Sequence, residues 1–272
     1  MSATSNRVVV YLQTQQNLNL LQQCFSNLTA INVSSFHFGF NPNGTPYTHL
    51  NDNVPTDPMF QAFWTDMAAA RKNGVLVMAM VGGAGGAYTQ LFNSYRVFYP
   101  ILVATLKAYN FDGIDLDVEE QVTQANMQML INDLRRDFPS NFYISSAPVA
   151  QALQTGTDPF SGVDWFALKS QIDWFNVQFY SGYGTLSTVN DYNEIIANGY
   201  APQQILGGAL TNRNDGNGYV EMSTLTTTLS TLSKQYPGQF GGTMGWEYYN
   251  ANNMAEYSDP VGWAKIMKIA VG

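Results

Sequence analysis

Cysteine is nearly absent from this chain. Its 272 residues include one, Cys24, so no disulfide can form within the molecule. Cys24 sits in an apolar helical pattern with Leu18, Leu20, Leu21 and Phe25 and reads as a buried, inert thiol. Charge is scarce as well. Only 12% of residues are charged, against about a quarter in an average globular protein. Basic residues are the minority, giving a net charge of -8 and a pI near 4.6. With no cationic surplus to displace counterions, nucleic-acid binding is excluded. The N-terminal stretch MSATSNRVVVYLQTQ has no basic opening and only a short apolar run, Val8 to Leu12. It is neither an export leader nor a membrane span. An intracellular monomer with no membrane partner is the expectation.

What remains is 45% hydrophobic and 14% aromatic, with 23 glycines. Solubility must come from Asn, Gln, Ser and Thr, a composition suited to neutral, hydroxyl-rich ligands. Short β-branched and aromatic runs recur at 8–12, 31–38, 75–81, 113–118, 142–148, 174–180, 205–210 and 242–246. Helical patterns lie between and after them, at 18–28, 58–72, 88–109, 124–138, 163–170, 189–198, 222–235 and 261–270. Strand then helix, repeated eight times, is the count of a (β/α)8 TIM barrel, and about 250 residues is the usual length of that single domain. Residues 1–272 are therefore read as one domain. A doubly wound open sheet would need a glycine fingerprint after the first strand, and Tyr11-Leu12-Gln13-Thr14-Gln15 has none. The longest irregular stretch, 39–58, follows the second strand and would sit on the catalytic face.

The most informative segment is Phe111-Asp112-Gly113-Ile114-Asp115-Leu116-Asp117-Val118-Glu119-Glu120. Side chains alternate along a strand, so Asp115, Asp117 and Glu119 share one face and Ile114, Leu116 and Val118 the other. Carboxylates at this spacing lie roughly 7 Å apart. They cannot all ionise freely, so at least one pKa should rise, and a raised carboxyl can act as a general acid. A metal site and a buried ionic cluster are the alternatives. An EF-hand calcium loop needs a Gly and a Glu at positions where this segment has neither. Asp112 and Glu120 have the opposite parity. Asp112 is expected to order the strand entry, and Glu120 to be solvated or to hold a loop. Gly82-Gly83-Ala84-Gly85-Gly86 does not fit a phosphate-binding fingerprint, because position 88 is Tyr; it reads as close backbone packing at the rim of a site. Neither His37 nor His49 has a partner at metal-ligand spacing. His37 alternates with Phe36 and Phe38 and reads as a barrel or barrel-wall residue. Trp64, Trp165, Trp174 and Trp263 are assigned to core packing.

The segment Asp112-Gly113-Ile114-Asp115-Leu116-Asp117-Val118-Glu119 resembles the D-G-x-D-x-D-x-E signature of glycoside hydrolase family 18, which contains chitinases and endo-β-N-acetylglucosaminidases. Further likenesses run along the chain. Val81-Gly82-Gly83 resembles the family's third-strand S-x-G-G segment, with Met80 and Val81 where Ile and Ser are common. Ala147-Pro148 resembles the fifth-strand A-P, and Gln178-Phe179-Tyr180 the sixth-strand Q-x-Y. Gly242-Thr243-Met244-Gly245-Trp246 resembles the last strand, whose tryptophan floors the sugar site. Tyr11 and Phe36 fit aromatic positions of the first two strands. Ser181 departs from the Asp or Asn that often follows the tyrosine.

The resemblance implies a retaining, substrate-assisted hydrolase. Its catalytic residues would be Glu119, Asp117, Asp115 and Tyr180. Its substrate contacts would include Trp246, Gln178, Tyr11, Phe36, Gly83 and Ala147. Glu119 would be the proton donor, Asp117 the acetamido clamp, Asp115 a partner sharing a proton with it, and Tyr180 a donor to the acetamido oxygen. No cofactor or metal is implied. The seventh strand and its helix are separated only by residues 211–219, too few for an inserted α+β domain, so an open groove is expected. That favours the chitobiose core of N-glycans over chitooligosaccharides as substrate. Chitin hydrolysis, and a non-catalytic carbohydrate-binding role, are the competing expectations.

Overall fold

A computed structural model describes residues 5–16 and 18–272. Residues 1–4, part of the segment read above for a leader, lie outside it, as does residue 17. Among the described residues nine strands form one sheet: β1 (Arg7–Leu12), β2 (Ala30–Phe40), β3 (Pro46–Leu50), β4 (Leu76–Gly82), β5 (Gly113–Asp117), β6 (Tyr143–Ser146), β7 (Trp174–Gln178), β8 (Ile205–Leu210) and β9 (Gly242–Trp246). Eight of them run parallel in the order β1-β9-β8-β7-β6-β5-β4-β2, and pairing of β1 with β2 closes the ring. The protein is a (β/α)8 barrel, as the alternating pattern predicts. β3 is the exception. It pairs antiparallel with the overhanging end of β2, so part of the stretch read as irregular is a hairpin arm on the catalytic face.

Closure of the ring sorts the side chains into two cores. One set faces the helices and includes Val8, Val10, Ile114, Leu116, Val177 and Ala209. The other fills the barrel and includes Val9, Tyr11, Met78, Met80, Trp174, Leu206 and Met244. The helices mostly follow their apolar periodicity. Met222–Gln235 matches the sequence pattern at both ends. The pattern over 88–109 divides at Ser94 into Ala87–Asn93 and Tyr95–Ala108. The pattern over 18–28 yields only a 3-10 turn, Leu18–Leu20, and a single α-turn, Leu21–Cys24. A short helix at Ala150–Thr155 has too few residues for its periodicity to stand out in the sequence. Cys24 is buried, and burial pushes its thiol up to about 12. Trp165, Trp174 and Trp263 are buried, and Trp64 packs on Tyr109 at 4.2 Å, so all four belong to the cores. No helix is long and apolar enough to cross a membrane among the described residues.

One irregularity matters for the site. Val33 pairs with Ala79 of β4, but Phe36 pairs with Val81. One extra residue is therefore inserted in β2, and a bulge of this kind inverts the facing of every residue beyond it. Ser35 and His37 turn toward the barrel mouth, while Phe36 and Phe38 turn outward into the helix-side core.

β5 packs tightly against both neighbours. A side-chain carbon on Gly113 would lie 2.4 Å from the Tyr143 carbonyl oxygen and 2.5 Å from the Met78 methyl. The backbone oxygen cannot move without breaking the β5–β6 ladder. Gly113→Ala is therefore expected to lower the unfolding free energy by about 1–3 kcal/mol, measured by urea denaturation. An unchanged midpoint would mean that the ladder has slack the contacts do not reveal.

Candidate active site

The acidic strand delivers its three inward carboxylates in order of depth. Asp115 is 0% exposed, Asp117 4% exposed, and Glu119 half-buried just beyond the strand end. Each meets a different environment. Asp115 Oδ2 accepts a hydrogen bond from the Tyr11 hydroxyl at 2.7 Å. Its Oδ1 accepts from the Ser145 hydroxyl at 2.6 Å and the Asn176 amide at 2.9 Å. Burial raises its pKa, and these three donors oppose the rise. The family likeness implied a proton shared between Asp115 and Asp117. In the structure Asp115 Oδ1 accepts two hydrogen bonds and Oδ2 one, and the Asp115 charge adds to the rise of the Asp117 pKa.

Asp117 has fewer supports. Its Oδ1 accepts from Gln178 Nε2 at 3.2 Å. Burial first, then repulsion by Glu119, Asp115 and Asp158, lifts its pKa well above that of an ordinary carboxylate. Glu119 is raised mainly by burial, with Asp158 adding repulsion, while a hydrogen bond from Gln178 favours its ionised form. Asp117 and Glu119 therefore titrate as a pair that holds on to a proton. Gln178 binds both, and its Nε2 is anchored by donating to the Ala147 carbonyl at 2.9 Å.

The pair opens into a cavity of about 420 Å³, lined also by Met80, Gly83, Tyr180, Leu210 and Trp246. The Tyr180 hydroxyl makes no hydrogen bond among the described residues. Burial and the surrounding carboxylates keep it protonated, so it remains a donor. Trp246 packs against Tyr11, with ring centroids 5.5 Å apart at 55°. Gly82, at a φ of +112°, brings β4 so close that a side-chain carbon would lie 1.9 Å from the Asp117 carbonyl oxygen. That carbonyl also accepts from Gly83 N at 2.9 Å. The glycine-rich run thus packs the rim against the acidic strand, as read from the sequence.

Of the expected site residues, Glu119, Asp117, Tyr180, Gln178, Gly83 and Trp246 meet at the cavity. Asp115, Tyr11 and Ala147 lie beneath it as support. Phe36 does not take part. It is 1% exposed and meets Phe111 edge-on at 5.6 Å on the helix side, because the β2 bulge reverses its facing. His37 is turned by the same slip. Read as a barrel or barrel-wall residue, it stands at the barrel mouth and borders the cavity, its ring lying over Gly85. Asp112 and Glu120 are structural. Asp112 Oδ2 accepts from Val77 N at 2.8 Å, tying the strand entry to β4. Glu120 caps the helix Ala87–Asn93, accepting from Tyr88 N at 2.7 Å and Thr89 N at 2.9 Å.

Sequence reasoning missed several contributors. Asp215 reaches the cavity from a 3-10 turn after β8, with Asn212 N donating to its Oδ2 at 2.9 Å. Glu247, next to Trp246, is 4% exposed. Its carboxylate accepts from Gln13 N and Thr14 N, both at 2.9 Å, and from the Thr14 hydroxyl at 2.7 Å. It clamps the segment after β1 to the end of β9. Asp215 is fixed locally, by Asn212 and Thr211, and an Asn-x-x-Asp capping spacing could have marked it; Glu247 acts across more than 230 residues, and no local pattern marks it.

This architecture is a barrel hydrolase site: a graded carboxylate ladder at the C-terminal mouth, an aromatic floor and an unpaired phenol. A model of the family described as glycosyl hydrolases family 18 matches residues 7–256, and the chain belongs to that family. Among solved structures, a fungal endo-β-N-acetylglucosaminidase from glycosyl hydrolase family 18 is similar with a TM-score of 0.86 at 37% identity, over 97% of each chain. The chitinase ChiC from Aspergillus fumigatus is similar with a TM-score of 0.84 at 34% identity, over 98% of this chain and 100% of that one. A curated relative, Endochitinase 4 of Metarhizium robertsii, is 30% identical over 138 residues, which span 43% of this chain but only 40% of the relative.

The raised Asp117 pKa makes a stability prediction. In the unfolded chain an Asp titrates at about 3.9; in the fold it keeps its proton to higher pH. Its contribution is therefore complete below about pH 4 and is lost as pH rises through the folded value. Asp117→Asn keeps the acceptor for Gln178 and cannot ionise. It should melt above the parent at neutral pH, with the difference closing toward about pH 4. A variant less stable at neutral pH would contradict this sign.

Proposed function

We propose that this protein hydrolyses GlcNAc-β-1,4-GlcNAc linkages with retention and with help from the substrate. The observation that carries this reading is a coupled pair, Glu119 and the more deeply buried Asp117, that holds a proton between them beside the unpaired hydroxyl of Tyr180. Family 18 departs from ordinary retaining glycosidases, in which a second carboxylate attacks the sugar. Here the 2-acetamido oxygen of the donor sugar attacks the anomeric carbon. Glu119 gives its proton to the leaving oxygen as the glycosidic bond breaks, leaving an oxazolinium ion. Glu119 then takes a proton from the incoming water, which opens that ring. With the pair's shared proton on Glu119, Asp117 is the carboxylate: it accepts from the acetamido N–H and offsets the positive charge. Tyr180 donates to the acetamido oxygen and aims it. Trp246 offers an apolar face to the ring.

The favoured substrate is the chitobiose core of N-glycans, cut in the endo mode. The short segment after β8, carrying only a 3-10 turn at Arg213–Asp215 before the helix begins at Met222, leaves that side of the mouth low and open. A branched glycan needs such room. Chitin or its oligomers form the second reading, supported by the likeness to ChiC from Aspergillus fumigatus and by the curated chitinases. Residue identity at Glu119 argues against a purely binding role.

Glu119→Gln should lower kcat on a chitobiose-linked substrate by about 10²- to 10⁴-fold, and unchanged turnover would remove the catalytic assignment. Incubation of the parent with a high-mannose glycopeptide and with chitin oligomers, with products weighed by mass spectrometry, separates the substrates. Products from chitin oligomers alone would overturn the N-glycan reading. The alkaline limb of kcat/KM should follow Glu119. Because Gln178 favours its ionised form, Gln178→Met should raise the Glu119 pKa and move that limb to higher pH. A limb that stays in place or moves down would mean that another group controls it.

A further inference from the structure

The backbone just beyond the acidic strand has no ladder to hold it. β5 ends at Asp117, the next helix begins at Gln124, and Glu119 stands on the irregular stretch between them. On one side of that stretch Glu120 grips the helix Ala87–Asn93. On the other a tight turn, 158–163, is docked onto it. Val122 N donates to the Ser161 carbonyl at 3.1 Å, and Gln121 Nε2 donates to the Phe160 carbonyl at 2.6 Å. Gln124 and Asp164 exchange two more hydrogen bonds, at 3.1 and 2.9 Å. The turn also leans on the segment beyond Tyr180, where Phe160 meets Tyr183 edge-on at 5.0 Å.

One side chain builds this turn. Asp158 is 3% exposed. Its Oδ1 accepts from Phe160 N at 2.9 Å and Ser161 N at 3.1 Å, and its Oδ2 accepts from Trp165 Nε1 at 3.0 Å. Its backbone closes the loop. Asp158 N donates to the Val163 carbonyl at 3.0 Å, and Gly162 N donates to the Asp158 carbonyl at 2.8 Å. All three side-chain partners are neutral, and among the described residues no cation pairs with Asp158. For the turn alone an asparagine would serve, since its carbonyl can cap the same two amides. A buried carboxylate without a counter-ion costs stability, which points to a charge that is used.

That charge reaches the reacting pair, opposing ionisation of both Glu119 and Asp117. The other titratable groups around Glu119 border the cavity: Asp117 on its own strand, Tyr180 at the end of β7, Asp215 after β8 and His37 on β2. Asp115 lies deeper, and Gln178 favours the ionised form of Glu119. Asp158 differs from all of these. It is absent from the cavity lining, and it is tied to the backbone that follows Glu119. We propose that Asp158 is a positioning residue for the reaction: it folds the turn that fixes the backbone beyond Glu119, and it holds a negative charge behind the proton donor without touching the substrate. Its part in catalysis rests on the reading of Glu119 as that donor; its hold on Glu119 does not.

Two measurements test this. In the first, the side-chain carboxyl carbons of ¹³C-labelled glutamate are titrated by NMR without substrate, and Glu119→Gln assigns the resonance. Trp165→Phe removes one anchor of Asp158 and keeps its charge. Adding Asp158→Asn then removes the charge, while the asparagine carbonyl still caps Phe160 N and Ser161 N. Between these two variants the midpoint read at Glu119 should fall by about half a pH unit or more. An unchanged or higher midpoint would overturn the proposal. In the second, Asp158→Ala is assayed on whichever of the two substrates above the parent cleaves. Its kcat should drop about ten- to a hundredfold with KM within about twofold, because the donor is displaced and the sugar contacts are not. An unchanged kcat, or a loss confined to KM, would overturn the positioning role. If Asp158→Ala does not fold, the titration alone decides. A midpoint that falls as expected in a protein whose Glu119→Gln variant keeps full turnover supports the hold on Glu119 and sinks only the proton-donor reading.

Discussion

The structure depends on burying like charges. Three carboxylates stand on one face of one strand, inside a closed barrel, and two of them are nearly inaccessible to water. An unpaired charge in such a place is costly, and among the described residues no cation pairs with the cluster. The ladder is accommodated instead by neutral donors and by retained protons. Donors converge on Asp115 from β1, β6 and β7, so three separate strands must be in register before the deepest carboxylate is satisfied. Asp117 receives one long hydrogen bond, and its pKa rises with that of Glu119 so that the pair retains a proton. The uneven supply of donors, not the identical side chains, separates the roles of the two aspartates.

The same uneven supply couples the floor of the site to the barrel. Tyr11 holds Asp115 with its hydroxyl and supports Trp246 with its ring. Gln178 reaches Asp117, Glu119 and the end of β6. Around the mouth, Glu247 and Asn51 fix the segments after β1 and β3 through hydrogen bonds whose partners lie far apart in sequence. A polar shell of this kind keeps its geometry only if every member is satisfied. The low charge content of the chain fits that design, because amides and hydroxyls do the work that ion pairs do elsewhere.

Much of this was legible in advance. Eight apolar strand runs, separated by helical periods, identify the barrel because a parallel strand covered on both faces shows little else. The alternation Ile114, Asp115, Leu116, Asp117, Val118, Glu119 assigns faces without ambiguity, since a strand has a side-chain period of two. Glu120 and Asp112 were separated from the catalytic set by the same parity. The hairpin arm β3 is not marked by periodicity, because residues 46–50 begin with proline and show no apolar alternation before the buried Leu50. Glu247 escaped because it serves partners brought close only by the fold, and Asp215 because only the barrel shows that its capped turn borders the cavity.

The sequence by itself determined the barrel, the acidic strand and the depth order of Asp115, Asp117 and Glu119. These follow from local periodicity, which needs no knowledge of neighbours. Only the tertiary structure decided which residues of β2 face the site. A single inserted residue between Val33 and Phe36 replaced an expected aromatic contact with Ser35 and His37. The insertion is defined by pairing with β4, a relation between strands that no local pattern contains. The structure likewise decided how far each carboxylate's pKa rises, because that depends on burial and on how many donors from other strands reach each one.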